Sequence, residues 1–527
     1  MMRAIRVFGW AIGVVWMATA SQTASAQIVM ARITPGTLPR VGTVDERFQS
    51  YNVEAVEVTG GRFWKPYAAI NAPDTGAHAT DAPAGMDPSL FRYRPPIDLT
   101  SQRLRKLAAA LGPAYLRVSG TWMNSSAFQD SDNPAPAKPP AGFNSVLTRQ
   151  QWKGVVDFAH AVDAQIVTSF SVSQGARDEA GIWTPKQAQA LLAYTKSLGG
   201  EIAAAEFMNE PTFAEMGGAP KGYDGAAYAR DFAVFKAWAR ENAPEMRILG
   251  PGGVGEGTPI APASMHLVTS EAILKATGPA FDIFTYHSYG AVSSRCSMMG
   301  ASAGTTSDAA LSVDWLSRGA TAEAFYAALR DHYEPGTPIW NTETGQAACG
   351  GDRWASTYLD TFRYLNQLGS LARLGVQVQL HNTLDASDYG LLDEKTLEPR
   401  PDYWAALLWH KLMGTTVLDA GASPVPNLHL YAHCLRGQPG GVAVLAINAD
   451  KNINHTLLTQ AGALRYTLTA KELESPTVDL NGKPLELGPE DALPALNGVK
   501  AHSGTIQLAP ASITFMAFPK AGNSSCK

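Results

Sequence analysis

The sequence is short of charge and of cysteine. Only 17% of its 527 residues are Asp, Glu, Lys or Arg, and 42 basic side chains face 47 acidic ones, for a formal net charge of -5. Without a basic excess the chain has no long-range pull toward nucleic acid or polyanionic polymers. The only four cysteines are Cys296, Cys349, Cys434 and Cys526, and none forms a C-x-x-C pair. That argues against a zinc or thiol-redox motif. The histidines are scattered without metal-ligand spacing, so neither metal nor cofactor is expected. The glycine-rich stretch 250–257 lacks the Gly-Lys-Ser/Thr ending of a phosphate loop. Past the N-terminus no apolar run is long enough to span a bilayer, and no repeat shows beyond strand–helix alternation.

What is present begins with a basic start (Arg3, Arg6), an apolar run from Val7 to Ala20 and an Ala24-Ser25-Ala26 site. This reads as a secretory signal peptide cut after Ala26, leaving a secreted or periplasmic chain with no membrane contact. Removing Arg3 and Arg6 takes the net charge from -5 to -7. About 500 remaining residues exceed one ordinary domain. After an extended lead-in (27–45), strand-like and helix-like segments alternate. Eight strands are expected: 50–58, 115–120, 165–172, 203–210, 247–250, 281–286, 338–343 and 376–381. Between most of them lie amphipathic stretches such as Leu104-Leu107-Ala108-Leu111. The pattern predicts a (β/α)8 barrel over 46–413, closed by a helix over 403–413 that stops at Gly414. From 414 to 527 short strand-like runs separated by Gly, Pro and Asn predict a β-sandwich, which the lead-in joins.

Two stretches carry chemistry. Ala204-Ala205-Glu206-Phe207-Met208-Asn209-Glu210-Pro211 is an apolar strand ending in Asn-Glu-Pro, and Pro211 should end it at Glu210. Pro338-Ile339-Trp340-Asn341-Thr342-Glu343 has the same form. In parallel α/β barrels the C-terminal ends of the strands face the active site. Asn-Glu-Pro alone is a weak signal, and Glu210 by itself reads more readily as a cap or a surface residue. As a pair at the ends of the fourth and seventh strands, they suit glycoside hydrolysis, with one carboxyl a proton donor and the other a nucleophile or base. Tyr289, in the Tyr286-His287-Ser288-Tyr289 alternation after the sixth strand, is a candidate donor to keep Glu343 ionised.

The motifs Asn209-Glu210-Pro211, His287-Ser288-Tyr289 and Thr342-Glu343 resemble those of glycoside hydrolase family 79, the heparanases and exo-β-glucuronidases. Tyr115-Leu116-Arg117-Val118-Ser119-Gly120-Thr121, Ala348-Cys349-Gly350-Gly351 and Asp388-Tyr389-Gly390-Leu391-Leu392-Asp393 agree. The resemblance implies a retaining enzyme with Glu210 as acid/base and Glu343 as nucleophile, whose carboxyls should lie about 5–5.5 Å apart. It implies that Asn209 holds the sugar 2-hydroxyl, and that Tyr389 and amides near Gly350 and Gly351 meet the glucuronate carboxylate. Glu54, Thr121 and Asn124 would line the same subsite. It also points to a Cys434–Cys526 disulfide at the tail, leaving Cys296 and Cys349 to pin two active-site loops; buried free thiols are the alternative. His381-Asn382 stands where animal heparanase has a glutamine, and that enzyme's long excised linker is missing. With few basic residues near either glutamate, exo release of terminal glucuronic acid by a monomer is the expectation. The loops after the first two strands (60–67 and 134–140) would wall off one end of the cleft. The alternatives are endo cleavage of heparan sulfate and a non-catalytic carbohydrate-binding barrel. Asn124, Asn454 and Asn523 open glycosylation triplets.

Overall fold

The computed structural model describes residues 30–71, 86–257, 267–299, 304–459 and 462–527. The proposed signal peptide lies outside them. Eight parallel strands close into a barrel in chain order. They are β1 (Gln49–Glu54), β2 (Ala114–Ser119), β3 (Ala164–Ser169), β4 (Ile202–Glu206), β5 (Arg247–Val254), β6 (Ile283–Tyr289), β7 (Ile339–Gly345) and β8 (Val378–His381). All eight match expected segments, and the departures have local causes. The expected strand 50–58 stops at Glu54, and Ala55–Thr59 form a short helix, with Glu57 reaching back to the Glu54 amide at 2.8 Å. β4 ends at Glu206, four residues early, and Glu210 sits in the left-handed region at φ 45°. Pro211 does bar Glu210 from the helical region, but it starts a 3-10 turn at Pro211–Phe213 rather than ending a strand.

Apart from two small two-stranded sheets beside the barrel, the remaining strands form a sandwich. Met30–Ile33, His455–Thr459 and Gly504–Leu508 make one sheet, and the other is centred on Leu428–Leu435, Val442–Asn448 and Ser512–Phe518. Ile33, Leu430, Val444, Leu457, Ile506 and Met516 fill the space between. The lead-in serves both sheets: Met30–Ile33 runs parallel to His455–Thr459, and Arg40–Thr43 runs antiparallel to Met413–Leu418. The strand-like stretch 456–468 in the sequence divides into two strands, one in each sheet. The closing helix, Pro401–Leu412, passes straight into the strand Met413–Leu418. Gly414 is therefore no helix stop. A Cβ there would meet the Cys434 carbonyl at 2.6 Å, so the close approach of two strands requires the glycine.

The helix Tyr358–Leu374 joins the two parts. It is buried along most of its length, and the Tyr358 hydroxyl donates to the carbonyls of Leu468 and Ala511, both at 2.9 Å. Both cysteine pairs are bridged, Cys434–Cys526 and Cys296–Cys349, with Cα separations of 5.3 and 6.5 Å.

Candidate active site

A pocket of about 100 Å³ opens at the C-terminal ends of the strands. Glu54, Thr121, Glu210, Tyr289, Glu343 and Tyr389 line it, six of the residues expected from the sequence. Trp64, Trp122, Phe213, Met216 and Val254 supply much of its apolar wall, and the disulfide-bonded Cys349 and Asn382 also face it.

Glu343 lies inside β7 and is 5% exposed. The Tyr289 hydroxyl donates to its Oε1 at 2.6 Å and Arg117 Nη1 to its Oε2 at 2.9 Å. Both are short hydrogen bonds to carboxylate oxygens. Asn382 holds the phenols in place, donating through Nδ2 to the hydroxyls of Tyr289 (3.1 Å) and Tyr389 (3.2 Å).

Glu210 faces Glu343 across His287. His287 Nδ1 lies 3.0 Å from Glu210 Oε1 and 3.6 Å from Glu343 Oε2. One oxygen of each carboxylate and one ring nitrogen all lie within 4.8 Å of one another. Among the described residues this is the trio spaced like metal ligands, but the Arg117 guanidinium bound to Glu343 would repel a cation there. Burial raises Glu210, and the Glu343 charge adds to this against the opposing hydrogen bond from His287. A raised carboxyl is what a proton donor needs.

Beneath the pair lies a fully buried charge network. Arg117 Nη2 donates to Glu206 Oε2 at 2.8 Å and to Asn209 Oδ1 at 2.7 Å. Thr285 and Thr342 donate to Glu206 Oε1 at 3.0 and 2.8 Å. Burial alone would lower Arg117, but Glu206 and Glu343 reverse this and hold it above its ordinary range. Burial alone would raise Glu206, yet Arg117 and His287 hold it well below the usual carboxylate range. His287 is also pulled both ways. Burial and Arg117, with Nη2 3.3 Å from its Nε2, favour the neutral ring, whereas Glu343, Glu206 and Glu210 favour the cation. Three carboxylates outweigh one guanidinium, and the ring is pushed up to about 9.

Glu54, 4% exposed, is raised well above its ordinary value by burial and by the Glu343 charge. It fits only because Gly120 follows β2 at φ 95°; a Cβ there would stand 1.6 Å from Glu54 Oε2. A neutral Glu54 is a hydroxyl-group partner of either sense for a sugar.

Four expected site residues do not line the pocket. Asn124 is 1% exposed and pairs with the backbone of Asn209, its Oδ1 accepting from the Asn209 amide and its Nδ2 donating to the Asn209 carbonyl, both at 2.8 Å. It fixes the turn that presents Glu210. Asn209 gives its Oδ1 to Arg117. Gly350 and Gly351 sit behind the wall: the Gly351 amide donates to the Ala347 carbonyl at 3.1 Å, and the Gly351 carbonyl accepts from Arg295 at 3.0 Å. Arg295 also pairs with Asp388 and stacks 4.2 Å over the Tyr67 ring, so it clasps the loops after β1, β6, β7 and β8. Of the two loops expected to wall the cleft, 60–67 does so through Trp64. The proline-rich stretch 134–140 is exposed and contributes no pocket residue.

Sequence reasoning passed over Arg117, Glu206 and Asn382. A charged residue in the inward alternation of an otherwise apolar strand was the available signal for the first two. Two glycosylation triplets are closed off. Asn124 is buried, and Asn523 is 1% exposed with its Nδ2 on the carbonyls of Pro35 and Leu38; Asn454 is exposed.

No family model matches the chain. The chain is 27% identical to heparanase-like protein 1 of Arabidopsis thaliana over 82% of this chain and 86% of that protein. It is 26% identical to Bos taurus heparanase over 85% and 88%. Over a shorter stretch, 38% of this chain and 41% of the relative, it is 37% identical to the baicalin-β-D-glucuronidase of Scutellaria baicalensis. Among solved structures, a 4-O-α-L-rhamnosyl-β-D-glucuronidase from Fusarium oxysporum superposes at TM-score 0.60 with 12% identity, over 92% of this chain and 99% of that one. The α-L-arabinofuranosidase of Thermotoga maritima does so at 0.59 with 13% identity, over 92% and 98%. These two share the fold. The chain is a glycoside hydrolase on a (β/α)8 barrel, with a carbohydrate substrate. In sequence it resembles heparanases and a β-glucuronidase, and it is a glucuronidase-type hydrolase. Among the described residues no helix is long and apolar enough to cross a membrane.

Proposed function

We propose that the protein is a retaining exo-β-glucuronidase. Glu343 attacks the anomeric carbon while Glu210 gives its proton to the leaving oxygen and the glycosidic C–O bond breaks. Glu210, now a carboxylate, then takes a proton from water, which attacks the anomeric carbon and displaces Glu343. The observation that carries the reading is the approach of the two carboxylates, within 4.8 Å through one oxygen each. A retaining pair stands about 5–5.5 Å apart, whereas an inverting pair leaves about 6.5–9.5 Å for a water. Arg117 and Tyr289 on one carboxylate and burial of the other divide the roles.

Exo action is supported by the walls. No Lys or Arg is among the residues lining the pocket, whereas a groove for a sulfated polymer needs cations along its length. Trp64 and Trp122 close in on a space suited to one sugar, and the phenols of Tyr289 and Tyr389 offer donors to a carboxylate. The heparanase relatives favour a second reading, endo cleavage of heparan sulfate. Proton NMR of 4-nitrophenyl β-D-glucuronide turnover tests the mechanism: β-glucuronic acid should appear first, and first-formed α-anomer would overturn it. Size-exclusion of a digested polymer tests the mode. Free glucuronate with little shortening supports exo action, and rapid shortening defeats it.

A further inference from the structure

A second, smaller pocket lies beside the first, sharing Thr121, Trp122 and Met216 with it. Its outer side is built from Thr59, Gly60 and Gly61 after β1, and from Ser125, Asn144 and Ser145 around the two-stranded sheet Ser126–Gln129 and Ser145–Thr148. Its volume is about 20 Å³, room for one hydroxyl or hydroxymethyl group rather than a ring. None of its lining residues is charged.

Three of its polar side chains are idle. Ser126 and Ser145 bond each other through their hydroxyls at 2.6 Å, but the side chains of Thr121, Ser125 and Asn144 make no hydrogen bond within the described residues. Ser125 is 6% exposed. These side chains keep their donors and acceptors for a group that enters from solvent. The catalytic pocket shares this pocket's wall.

We propose that this pocket is an accessory subsite that takes an uncharged, hydroxyl-bearing group attached to the glucuronate and discriminates against a sulfated one. The inference rests on the glucuronidase reading and names its substrate class: neutral glycans rather than sulfated glycosaminoglycans. A sulfate ester brought here would exchange hydration for three neutral side chains and no cation, whereas a hydroxyl finds donors and acceptors already in place. The neutral group has two sources, the aglycone or a sugar on the glucuronate ring's own hydroxyls.

The test measures kcat/KM on four probes. They are 4-nitrophenyl β-D-glucuronide, a glucuronyl-β-N-acetylglucosamine disaccharide, the same disaccharide bearing a 6-O-sulfate, and 4-nitrophenyl β-D-glucuronide carrying a neutral sugar on its 4-hydroxyl. Sulfation should lower kcat/KM about tenfold or more if the aglycone enters. Asn144→Lys, at an exposed position, should recover most of that loss without changing the simple nitrophenyl glucuronide. If the ring substituent enters instead, the capped glucuronide is turned over, and Ser125→Ala and Asn144→Lys weaken that substrate alone. Equal turnover of the two disaccharides together with no turnover of the capped probe overturns the subsite. So do variants that change the simple glucuronide as much as the larger probes. Failure of the wild type on 4-nitrophenyl β-D-glucuronide overturns the glucuronidase reading itself.

Discussion

The two ends of the barrel interior are built from the same strands and have opposite chemistry. At the N-terminal end, Tyr115, Val167, Ala204, Leu249, Ile283, Trp340, Val378 and Leu380 form an apolar plug. Two residues further along β2 and β4, and three along β7, the inward positions are Arg117, Glu206 and Glu343. Arg247 marks the border, its guanidinium 4.8 Å over the Trp340 ring and its Nη2 2.6 Å from the Tyr115 hydroxyl. The plug is held by burial and packing, which tolerate no lost volume. The catalytic end is held by ion pairs whose desolvation offsets much of their attraction. A few ångströms along one strand thus separate residues that hold the barrel together from residues proposed to carry its chemistry, and substitution at each layer should break a different property.

The largest effects are expected at the catalytic layer. Glu343→Gln should abolish turnover, and Glu210→Gln should lower kcat by about 10²–10⁴-fold on a glycan with a poor leaving group. Both variants should melt close to the parent, because Gln is isosteric. A large fall in melting temperature for Glu343→Gln would make that residue part of the scaffold and erase the contrast. The plug should behave the other way. Trp340→Ala removes a side chain that is 1% exposed, and is expected to cost about 3–5 kcal/mol. The kcat of the molecules that remain folded should hardly change, which denaturant unfolding and active-site titration would check together.

The two disulfides extend the comparison beyond the barrel. Cys434–Cys526 ties the tail to a sandwich strand across 92 residues, and removing it as a double serine variant should cost about 2–4 kcal/mol with activity intact. Cys349 lines the catalytic pocket, and its partner Cys296 neighbours the Arg295 clasp. The corresponding double serine variant should therefore lower kcat/KM as well as stability. Equal kinetic behaviour of the two variants would show that the loops keep their shape without the bridge.

Most of the barrel could be read from the sequence because its strands are short apolar runs between amphipathic helices. The two glutamates were legible because proline and glycine mark their turns. Arg117 and Glu206 were not, because within Tyr115–Val118 and Ala204–Glu206 nothing local says that two charges on different strands meet. Closure of the barrel pairs them, and closure is a long-range property. The same holds for Asn124: its triplet reads as a surface acceptor, yet the fold buries it against the backbone of Asn209. Gly351 shows the reverse: its amide donates to the Ala347 carbonyl and its carbonyl accepts from Arg295, so it is taken up within the loop.

The smallest effect is expected in the pH profile, and it probes the one group that belongs to both carboxylates. His287 is pushed up to about 9 from its ordinary 6.5, with its charge held by Glu343, Glu206 and Glu210. A histidine raised on folding stabilises the fold fully below about 6.5, and that contribution is lost as pH rises through about 9. The parent should lose stability over this window, and His287→Gln, which keeps size and a donor but no charge, should flatten the loss. The same substitution removes the imidazolium charge, which lowers Glu210. Glu210 must be protonated to act as the acid, so the alkaline limb of kcat/KM should move upward, by about one pH unit or less. A limb that stays in place while the stability curve flattens would separate the two roles, leaving His287 as a partner of the buried network and not of the proton donor.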